Sequence, residues 1–339
     1  MKFKKLLIIA GVVLCLLALA AIKNIAVKRQ ASKKGNEIAV IDLTKDVSEG
    51  FVSKIIVYKG SDEKSKMTLR KDPSGKWILE NRFGLSARKE AVDSLLKELS
   101  DVSGEVRSDS KLVLEDFSIS DVSGVHVILK AANDKVLKHM VVGLKRPVWN
   151  MNFIRLAQDA NVIAAQKDIL SRLNLYDVTS KLDEDYFADL KILTFDINKV
   201  ERLELKEADK KGLFLVKGSS NETASLPAWN LEPPVKGQVI DPSKVDGFLQ
   251  NIANMYAQDA LDPALNTYGF DDPSLDIKLF ISQDNSAPIQ LIFGKYLEPQ
   301  KAFFLRVLPK GLVFRVPETF VQNLKKERSY FLKEKAPKR

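Results

Sequence analysis

The chain of 339 residues contains two copies of one sequence pattern, and this internal repeat constrains the fold more than any other feature. Trp77 corresponds to Trp229, and Gly143 corresponds to Gly294 at the end of an apolar run. The order and a nearly constant offset of 151–153 residues make the series hard to explain by chance, so we predict a tandem duplication. Further matched pairs are Phe117-Ser118-Ile119 with Tyr268-Gly269-Phe270, Phe153-Ile154-Arg155-Leu156 with Phe304-Leu305-Arg306-Val307, Val162-Ile163 with Val313-Phe314, and Ile169 and Leu173 with Phe320 and Leu324.

Each copy also contains one amphipathic helix pattern, in which apolar residues recur at i, i+3, i+4 and i+7. Ser86 and Asp241 stand where N-caps are expected, and Pro242 takes the first helical position of the second helix. The two apolar faces are Val92, Leu95, Leu96 and Leu99 in the first copy, and Val245, Phe248, Leu249 and Ile252 in the second.

Runs of short strands surround each helix, separated by turn signals such as Asp72-Pro73-Ser74-Gly75. Many strands with few helices indicate an α+β fold with largely antiparallel sheets. A short helix closes each copy, at Gln166–Leu173 and Glu318–Lys325. The predicted strands are Val52–Lys59, Lys66–Lys71, Trp77–Asn81, Val125–Lys130, Lys138–Val142, Asn152–Leu156 and Val162–Ala164 in the first copy, and Val200–Lys206, Leu213–Lys217, Ala228–Glu232, Leu275–Ile281, Ile289–Phe293, Phe303–Leu308 and Leu312–Val316 in the second.

An apolar run near the N-terminus predicts a membrane segment. Leu6–Val27 is interrupted only by Lys23 and Asn24, and it can span a bilayer core of about 20 residues if Lys23 extends towards the surface. Ala18-Leu19-Ala20 also fits a signal-peptide cleavage site. Residues 1–30 are therefore either one uncleaved transmembrane helix, which the length of the run favours, or a cleaved signal peptide.

The orientation of this segment is not fixed by charge. Basic residues after the run outnumber those before it, which on the positive-inside rule argues against an exported body. Long domains translocate largely regardless of such charges, and the short basic N-terminus favours export. We expect a single-pass protein of the cytoplasmic membrane whose body faces the periplasm or the cell exterior.

The net charge of +9 lies at the two ends of the chain. The first 34 residues carry eight of the 53 basic residues and no acidic one, and residues 325–339 carry seven basic and two acidic residues. The body between them holds 38 basic against 42 of the 44 acidic residues, so it is slightly negative. A nucleic-acid-binding domain would carry its positive charge on the folded body, and we therefore expect no nucleic-acid partner.

Repeat boundaries and composition divide the chain into five parts. Residues 38–175 form the first α+β repeat and residues 200–325 the second. Residues 176–199 connect them and are amphipathic, so we expect this connector to pack. Residues 326–339 form a basic tail, and we expect disorder from Lys325 onwards.

No catalytic, cofactor or metal motif stands out in the sequence. It contains no G-x-x-x-x-G-K-[ST], G-x-G-x-x-G or G-x-S-x-G pattern, and Cys15 lies inside the apolar run. His126 and His139 can face each other on neighbouring strands, but a transition-metal site needs three or four ligands. The carboxylate clusters Asp183-Glu184-Asp185 and Asp271-Asp272 fit a solvated linker and a turn better than acid–base catalysis.

Four repeated residues are candidates for contact with a partner or ligand. We interpret Trp77 and Trp229 first as core anchors. Arg155 and Arg306 each follow an aromatic residue by two positions, and we interpret them first as structural ion-pair or cation–π partners. A shared ligand contact is the second interpretation of both arginines.

The ordered landmarks resemble the domain of unknown function 4340 family over most of Val52–Leu324. The resemblance rests on Tyr268-Gly269-Phe270-Asp271-Asp272-Pro273, on Phe293-Gly294 with Phe304-Leu305-Arg306, on the repeated tryptophan strand and helix, and on the link Tyr186–Val200. The first copy departs from the pattern, because Phe117-Ser118-Ile119-Ser120-Asp121 lacks the glycine and the proline. That departure leaves the geometry of its turn open.

The resemblance implies a membrane-anchored envelope protein of the kind found beside gliding-motility-type ABC exporters, and it brings no catalytic residues. We therefore expect a non-enzymatic binding or scaffold component that works with the permease or ATPase subunits of an ABC-type export system. The alternative is an envelope hydrolase that uses carboxylates.

Overall fold

The computed structural model describes residues 39–45, 47–218, 229–282 and 287–334. The predicted membrane segment, residues 1–30, lies outside them. Within the described ranges, no helix combines the length and the apolar character needed to cross a bilayer. The chain divides into two compact units, Met1–Lys66 with Asp93–Leu182 and Met67–Val92 with Asp183–Arg339.

The strands and helices of the described residues are numbered here in chain order. The strands are β1 Val40–Asp42, β2 Lys54–Lys59, β3 Met67–Lys71, β4 Trp77–Leu79, β5 Leu85–Ser86, β6 Ser103–Ser108, β7 Val125–Lys130, β8 Val136–Val142, β9 Asn152–Leu156, β10 Val162–Ala165, β11 Val200–Glu207, β12 Leu213–Lys217, β13 Trp229–Leu231, β14 Asp259–Leu261, β15 Leu275–Ile281, β16 Ile289–Leu297, β17 Ala302–Leu308 and β18 Leu312–Pro317. The helices are α1 Lys89–Leu99, α2 Ile169–Arg172, α3 Pro242–Ala253 and α4 Glu318–Leu324.

The sheets are antiparallel in both units. In the first unit, seven strands lie side by side in the order β1-β6-β10-β9-β8-β7-β2. In the second unit, eight strands follow the order β13-β12-β11-β15-β16-β17-β18-β14, and β3, β4 and β5 form a meander. Alternating buried positions, such as Leu275, Ile277 and Leu279 on β15, form the apolar faces.

The strand order confirms the duplication. β2-β7-β8-β9-β10-β6 in the first unit corresponds strand for strand to β11-β15-β16-β17-β18-β14 in the second, and the β3–β4 hairpin corresponds to β12–β13. Both copies have the same sheet topology and one amphipathic helix, α1 or α3. The α+β class and the tandem repeat predicted from the sequence are therefore both found.

The helices bury the predicted faces, but the caps differ. All eight apolar residues of the two helical patterns are buried. Asp241 caps α3, its side chain accepting a hydrogen bond from the Ser243 amide at 3.0 Å, and Pro242 follows at the first helical position. The prediction for Ser86 is wrong, because Ser86 belongs to β5 and α1 begins three residues later, at Lys89.

The C-terminal tail is more ordered than predicted. Residues 328–331 form a 3-10 helix. Phe331 is fully buried, and its ring centroid lies 5.4 Å from the ring centroid of Phe248. The Asp241 amide donates to the Phe331 carbonyl at 2.8 Å, and Ile240 bridges to Leu332. The prediction of disorder from Lys325 onwards is therefore wrong up to residue 334. The buried Phe331 side chain holds this basic segment against the rest of the second unit.

Candidate interaction surface

The two repeated tryptophans occupy equivalent buried positions. Trp77 pairs across strands with Lys71, and Trp229 pairs with Lys217 in the corresponding hairpin. Trp77 is 9% exposed and Trp229 is 3% exposed. Their rings are therefore part of the core, which matches the interpretation as anchors and leaves little surface for a ligand.

Phe117-Ser118-Ile119 and Tyr268-Gly269-Phe270, which we call the aromatic step of each copy, share one backbone geometry. Ser118 and Gly269 both have positive φ, at +53° and +73°. The aromatic residue before each packs on the repeated aromatic of the third strand that follows, β9 or β17. The Phe117 and Phe153 ring centroids lie 4.7 Å apart, and those of Tyr268 and Phe304 also lie 4.7 Å apart. The sequence left the geometry of this turn in the first copy undecided, because the glycine is missing there. The structure shows the same turn as in the second copy, with Ser118 in the left-handed conformation.

The repeated glycines let this step approach the sheet. A Cβ added to Gly294 would lie 2.1 Å from the Tyr268 carbonyl oxygen, and one added to Gly143 would lie 2.5 Å from the Phe117 carbonyl oxygen. The Tyr268 oxygen accepts a hydrogen bond from the Lys295 amide at 2.8 Å. Only glycine fits where the backbone of the step contacts the strand.

The repeated arginines serve the same step in different ways. Arg155 is buried, and it donates to the carbonyls of Ile119 at 2.6 Å, Leu156 at 3.0 Å and Ala157 at 2.9 Å while forming an ion pair with Asp121. Arg306 lies over the Phe270 ring, 4.4 Å from its centroid. These contacts fit the structural interpretation of both arginines.

The two histidines form a direct pair within the first unit. His126 Nδ1 lies 2.9 Å from His139 Nε2, and the other His126 nitrogen lies 3.0 Å from the Asp121 carbonyl oxygen. The Tyr58 ring stacks on His126 at 4.5 Å. Burial, followed by the charge of His126, lowers the pKa of His139 below its ordinary value. Among the described residues, no group of three or more His, Cys, Asp or Glu side chains could hold a metal ion.

The two carboxylate clusters lie in different surroundings. Asp183 caps a short 3-10 helix by accepting from the Asp185 amide at 3.0 Å, and Asp185 pairs with Arg82 at 2.7 Å. Burial raises the pKa of Glu184, and the charge of Arg82 opposes that rise. Asp271 and Asp272 lie exposed in a turn. Neither cluster presents two free carboxylates facing one pocket.

A pair of exposed aromatic rings stands out in the first unit. Trp149 is 67% exposed and Tyr176 is 52% exposed, and their rings stack with centroids 6.3 Å apart and planes 13° apart. Val148 and Val178, also exposed, flank the two rings in sequence. We refer to Val148, Trp149, Tyr176 and Val178 as the aromatic surface. Clustered large aromatic side chains that are exposed to solvent are typical of binding sites.

Arg146 fixes the two loops that carry the aromatic surface. Its guanidinium group lies 5.2 Å from the Trp149 ring centroid and donates to the Trp149 carbonyl at 3.1 Å. It also donates to the Leu175 carbonyl at 2.7 Å and pairs with Asp168 at 3.0 Å. The loop of Tyr176 is held in turn by Asp177, whose pKa is lowered by hydrogen bonds from Thr179 and Ser180. The rings are thus presented by a fixed framework, which lowers the entropy cost of binding.

The second copy has no such surface at the corresponding loop. There β16 continues to Leu297, and the Tyr296 ring packs on Phe303 at 5.0 Å while its hydroxyl donates to Glu318 at 3.0 Å. Among the residues that the structure describes, the aromatic surface is therefore found at this loop of the first copy and not at its counterpart. Sequence reasoning missed it, although Trp149 is the one tryptophan of three that lacks a partner in the repeat.

Comparison with known families identifies the repeat. A family model described as a domain of unknown function, DUF4340, matches residues 77–238 and again residues 229–336. The chain belongs to the DUF4340 family. Both matches begin at a repeated tryptophan, Trp77 or Trp229. No curated protein and no solved structure gives a significant match.

The residues repeated between the two DUF4340 copies thus have a structural explanation. The tryptophan anchors a hairpin, the aromatic step takes a left-handed residue, and the glycine admits the step to the sheet. These residues maintain the fold of each DUF4340 copy. The aromatic surface lies within the first matched region but outside these shared motifs, so it distinguishes one copy from the other.

Proposed function

We propose that this DUF4340 protein is a non-enzymatic binding component of the cell envelope that docks on a membrane subunit of an ABC-type exporter. In this proposal residues 1–30 anchor the chain in the cytoplasmic membrane, and the two units lie on the periplasmic or outer side. The aromatic surface is the docking site.

The observation that carries the proposal is the fixed Trp149–Tyr176 pair, present in one copy of a duplicated fold. Aromatic side chains are enriched at the centres of protein interfaces, and a few such residues supply most of the binding energy. Duplication keeps one copy as a scaffold while the other gains a recognition loop. An exposed aromatic pair in one copy provides a binding site. A duplication that served only to enlarge the fold would not require this difference between the copies.

The length of the linker supports a partner in the membrane. Eleven residues, 28–38, separate the apolar run from the described chain, and fully extended they span at most about 40 Å. The first described strand, β1, belongs to the same unit as the aromatic surface. A chain anchored at Leu6–Val27 therefore keeps that unit within reach of proteins embedded in the same membrane.

Binding rather than catalysis is supported by how the polar groups are used. Arg155 donates to backbone carbonyls and pairs with Asp121. In the Asp183–Asp185 cluster, Asp183 caps a 3-10 helix and Asp185 forms an ion pair, which leaves no two carboxylates of the cluster uncommitted. General acid–base catalysis needs titratable groups that are free to face a substrate. We therefore propose a binding protein, and we assign no described residue a catalytic role in the alternative, a carboxylate-dependent hydrolase.

Site-specific photocrosslinking tests the proposal. A photoreactive phenylalanine analogue at position 149 in the full chain, expressed in cells with the exporter, should crosslink to the permease subunit. The same analogue at position 51, an exposed phenylalanine of the first unit, is the control and should give no such product. Permease crosslinks from both positions alike, or from neither, would contradict the proposal.

A further inference from the structure

The second unit contains a basic pocket of about 460 Å³ between β11, β12 and the C-terminal segment. This volume lies in the range of small-molecule sites, about 300–1,000 Å³. Its apolar floor is Leu205, Leu213 and Leu275. Its charged wall consists of Glu207, Lys210, Lys211, Lys325, Lys326, Glu327 and Arg328.

The charges of this wall do not balance. Lys210 pairs with Glu207 at 2.9 Å and with Glu327 at 3.3 Å, and Lys325 lies 4.0 Å from Glu207. Within the described chain, no ion pair joins Lys211, Lys326 or Arg328 to a carboxylate. Five cations against two carboxylates leave a net charge of three positive units around one concave space.

The buried anchor of the tail holds the cations in place. Lys325 and Lys326 follow α4 directly, and Arg328 is the first residue of the 3-10 helix of residues 328–331, whose Phe331 is buried against Phe248. The Lys326 ammonium also lies 5.0 Å from the Tyr330 ring centroid. Fixed cations around a concavity raise the local concentration of anions more than mobile surface lysines do.

We propose that this pocket binds a phosphate ester, with the phosphate at Lys211, Lys326 and Arg328 and an uncharged part over the leucine floor. Arginine forms bidentate hydrogen bonds with phosphate, and lysine binds it as a point charge. A phosphate monoester carries between one and two negative charges, which fits three unpaired cations better than a single carboxylate does. The leucine floor favours an organic ester over inorganic phosphate. The proposal does not depend on the docking role of the first unit.

Calorimetric titration of the full chain in non-ionic detergent tests the site. Phenyl phosphate serves as a soluble ester, dihexanoyl phosphatidic acid as a lipid ester, and inorganic phosphate as the anion without an apolar part. We expect both esters to bind about tenfold or more tighter than inorganic phosphate, and the tighter of the two identifies a soluble or a lipid source. Equal or no binding of the three probes would overturn the proposal.

A charge-matched pair of variants locates the binding. The triple substitution K211Q/K326Q/R328Q should weaken binding of the tighter ester by about tenfold or more and lower its salt dependence. The substitution K206Q/K236Q/K310Q removes three exposed lysines of the same unit that do not line the pocket, and it should leave the affinity within about twofold. Equal losses in the two variants, or no loss in the first, would overturn the assignment.

Discussion

Ser118 of the first unit takes the left-handed backbone conformation that Gly269 takes at the equivalent position of the second, with φ of +53° and +73°. The two residues follow the aromatic side chains that pack on Phe153 and Phe304. The two copies thus share this geometry although the first has serine where the second has glycine, the residue best suited to it. The first unit therefore bears a local strain that the second lacks.

The substitution Ser118→Gly should stabilise the first unit. Relief of the left-handed strain gains about 1–2 kcal/mol, and the greater freedom of glycine in the unfolded chain costs about 0.5–1 kcal/mol. We expect a net gain of about 0.5–1 kcal/mol, measured by hydrogen exchange of β7–β9 amides in the full chain. Ser118→Ala keeps the strain and serves as the control, and a gain of the same size in that variant would contradict the account.

Two glycines of the second unit should respond to alanine in opposite directions. Gly294→Ala places a Cβ against the Tyr268 carbonyl and should destabilise the unit by about 3 kcal/mol or more. Gly247 lies inside α3, where an added Cβ meets nothing within 4 Å, so Gly247→Ala should stabilise by about 0.5–1 kcal/mol. Urea denaturation measures both, and equal effects would argue against the close approach at Gly294.

The two repeated arginines should differ in their contribution to stability. Arg155→Met removes the side-chain donor to the Ile119, Leu156 and Ala157 carbonyls, of which the Leu156 carbonyl keeps a second donor outside the sheet ladder, and should cost about 2–4 kcal/mol. Arg306→Met removes one cation–π contact and should cost about 0.5–1 kcal/mol. Thermal unfolding of the two variants measures the difference. A larger loss for Arg306→Met would show that these contacts do not govern the two sites.

The histidine pair should make the first unit less stable in mild acid. The pKa of His139 is lowered in the folded unit by burial and by His126, so the unfolded chain binds the proton more readily. Stability is therefore complete above the ordinary histidine pKa of about 6.5 and falls as the pH drops through it towards the lower folded value. The slope has a limit of about 1.4 kcal/mol per pH unit for one proton, and solvent screening of the half-exposed ring reduces it.

Hydrogen exchange of β7 and β8 between pH 7.5 and 5.5 checks this dependence after correction for the intrinsic exchange rate. Tyr58, Asp121, Arg155 and Glu63 also surround the pair, so a variant of His139 is needed to separate its contribution from theirs. His139→Gln should flatten the profile. An equally steep profile in that variant would assign the acid sensitivity to another group.

Much of the fold could be predicted because its pattern is local and repeated. β7, β9, β12 and β15 begin and end at the predicted residues, since each is a short run rich in apolar residues with turn residues nearby. β6, Ser103–Ser108, was missed because Val106 is its one large apolar residue. The order of the tail was missed because it depends on the burial of Phe331 against a helix distant in sequence.

The candidate site was harder to predict than the fold. Repetition identifies Trp77, Trp229, Arg155 and Arg306, and these four residues hold the structure together. The aromatic surface is carried by the residues that the repeat does not share. Its assembly depends on Arg146, whose contacts with two separate loops no local pattern indicates.

The affinity of the full chain for its exporter, reconstituted in nanodiscs, tests the central claim most directly. Trp149→Ala with Tyr176→Ala should weaken binding at least tenfold, since an interface aromatic contributes about 2 kcal/mol or more. Both rings are exposed, so the loss of stability should stay near the value of about 0.5–1 kcal/mol for the lost Arg146–Trp149 cation–π contact. Leu112→Ala, at a residue of the same unit that is 93% exposed, should bind like the unaltered protein. Unchanged affinity in the double variant would contradict the assignment of the aromatic surface as the docking site.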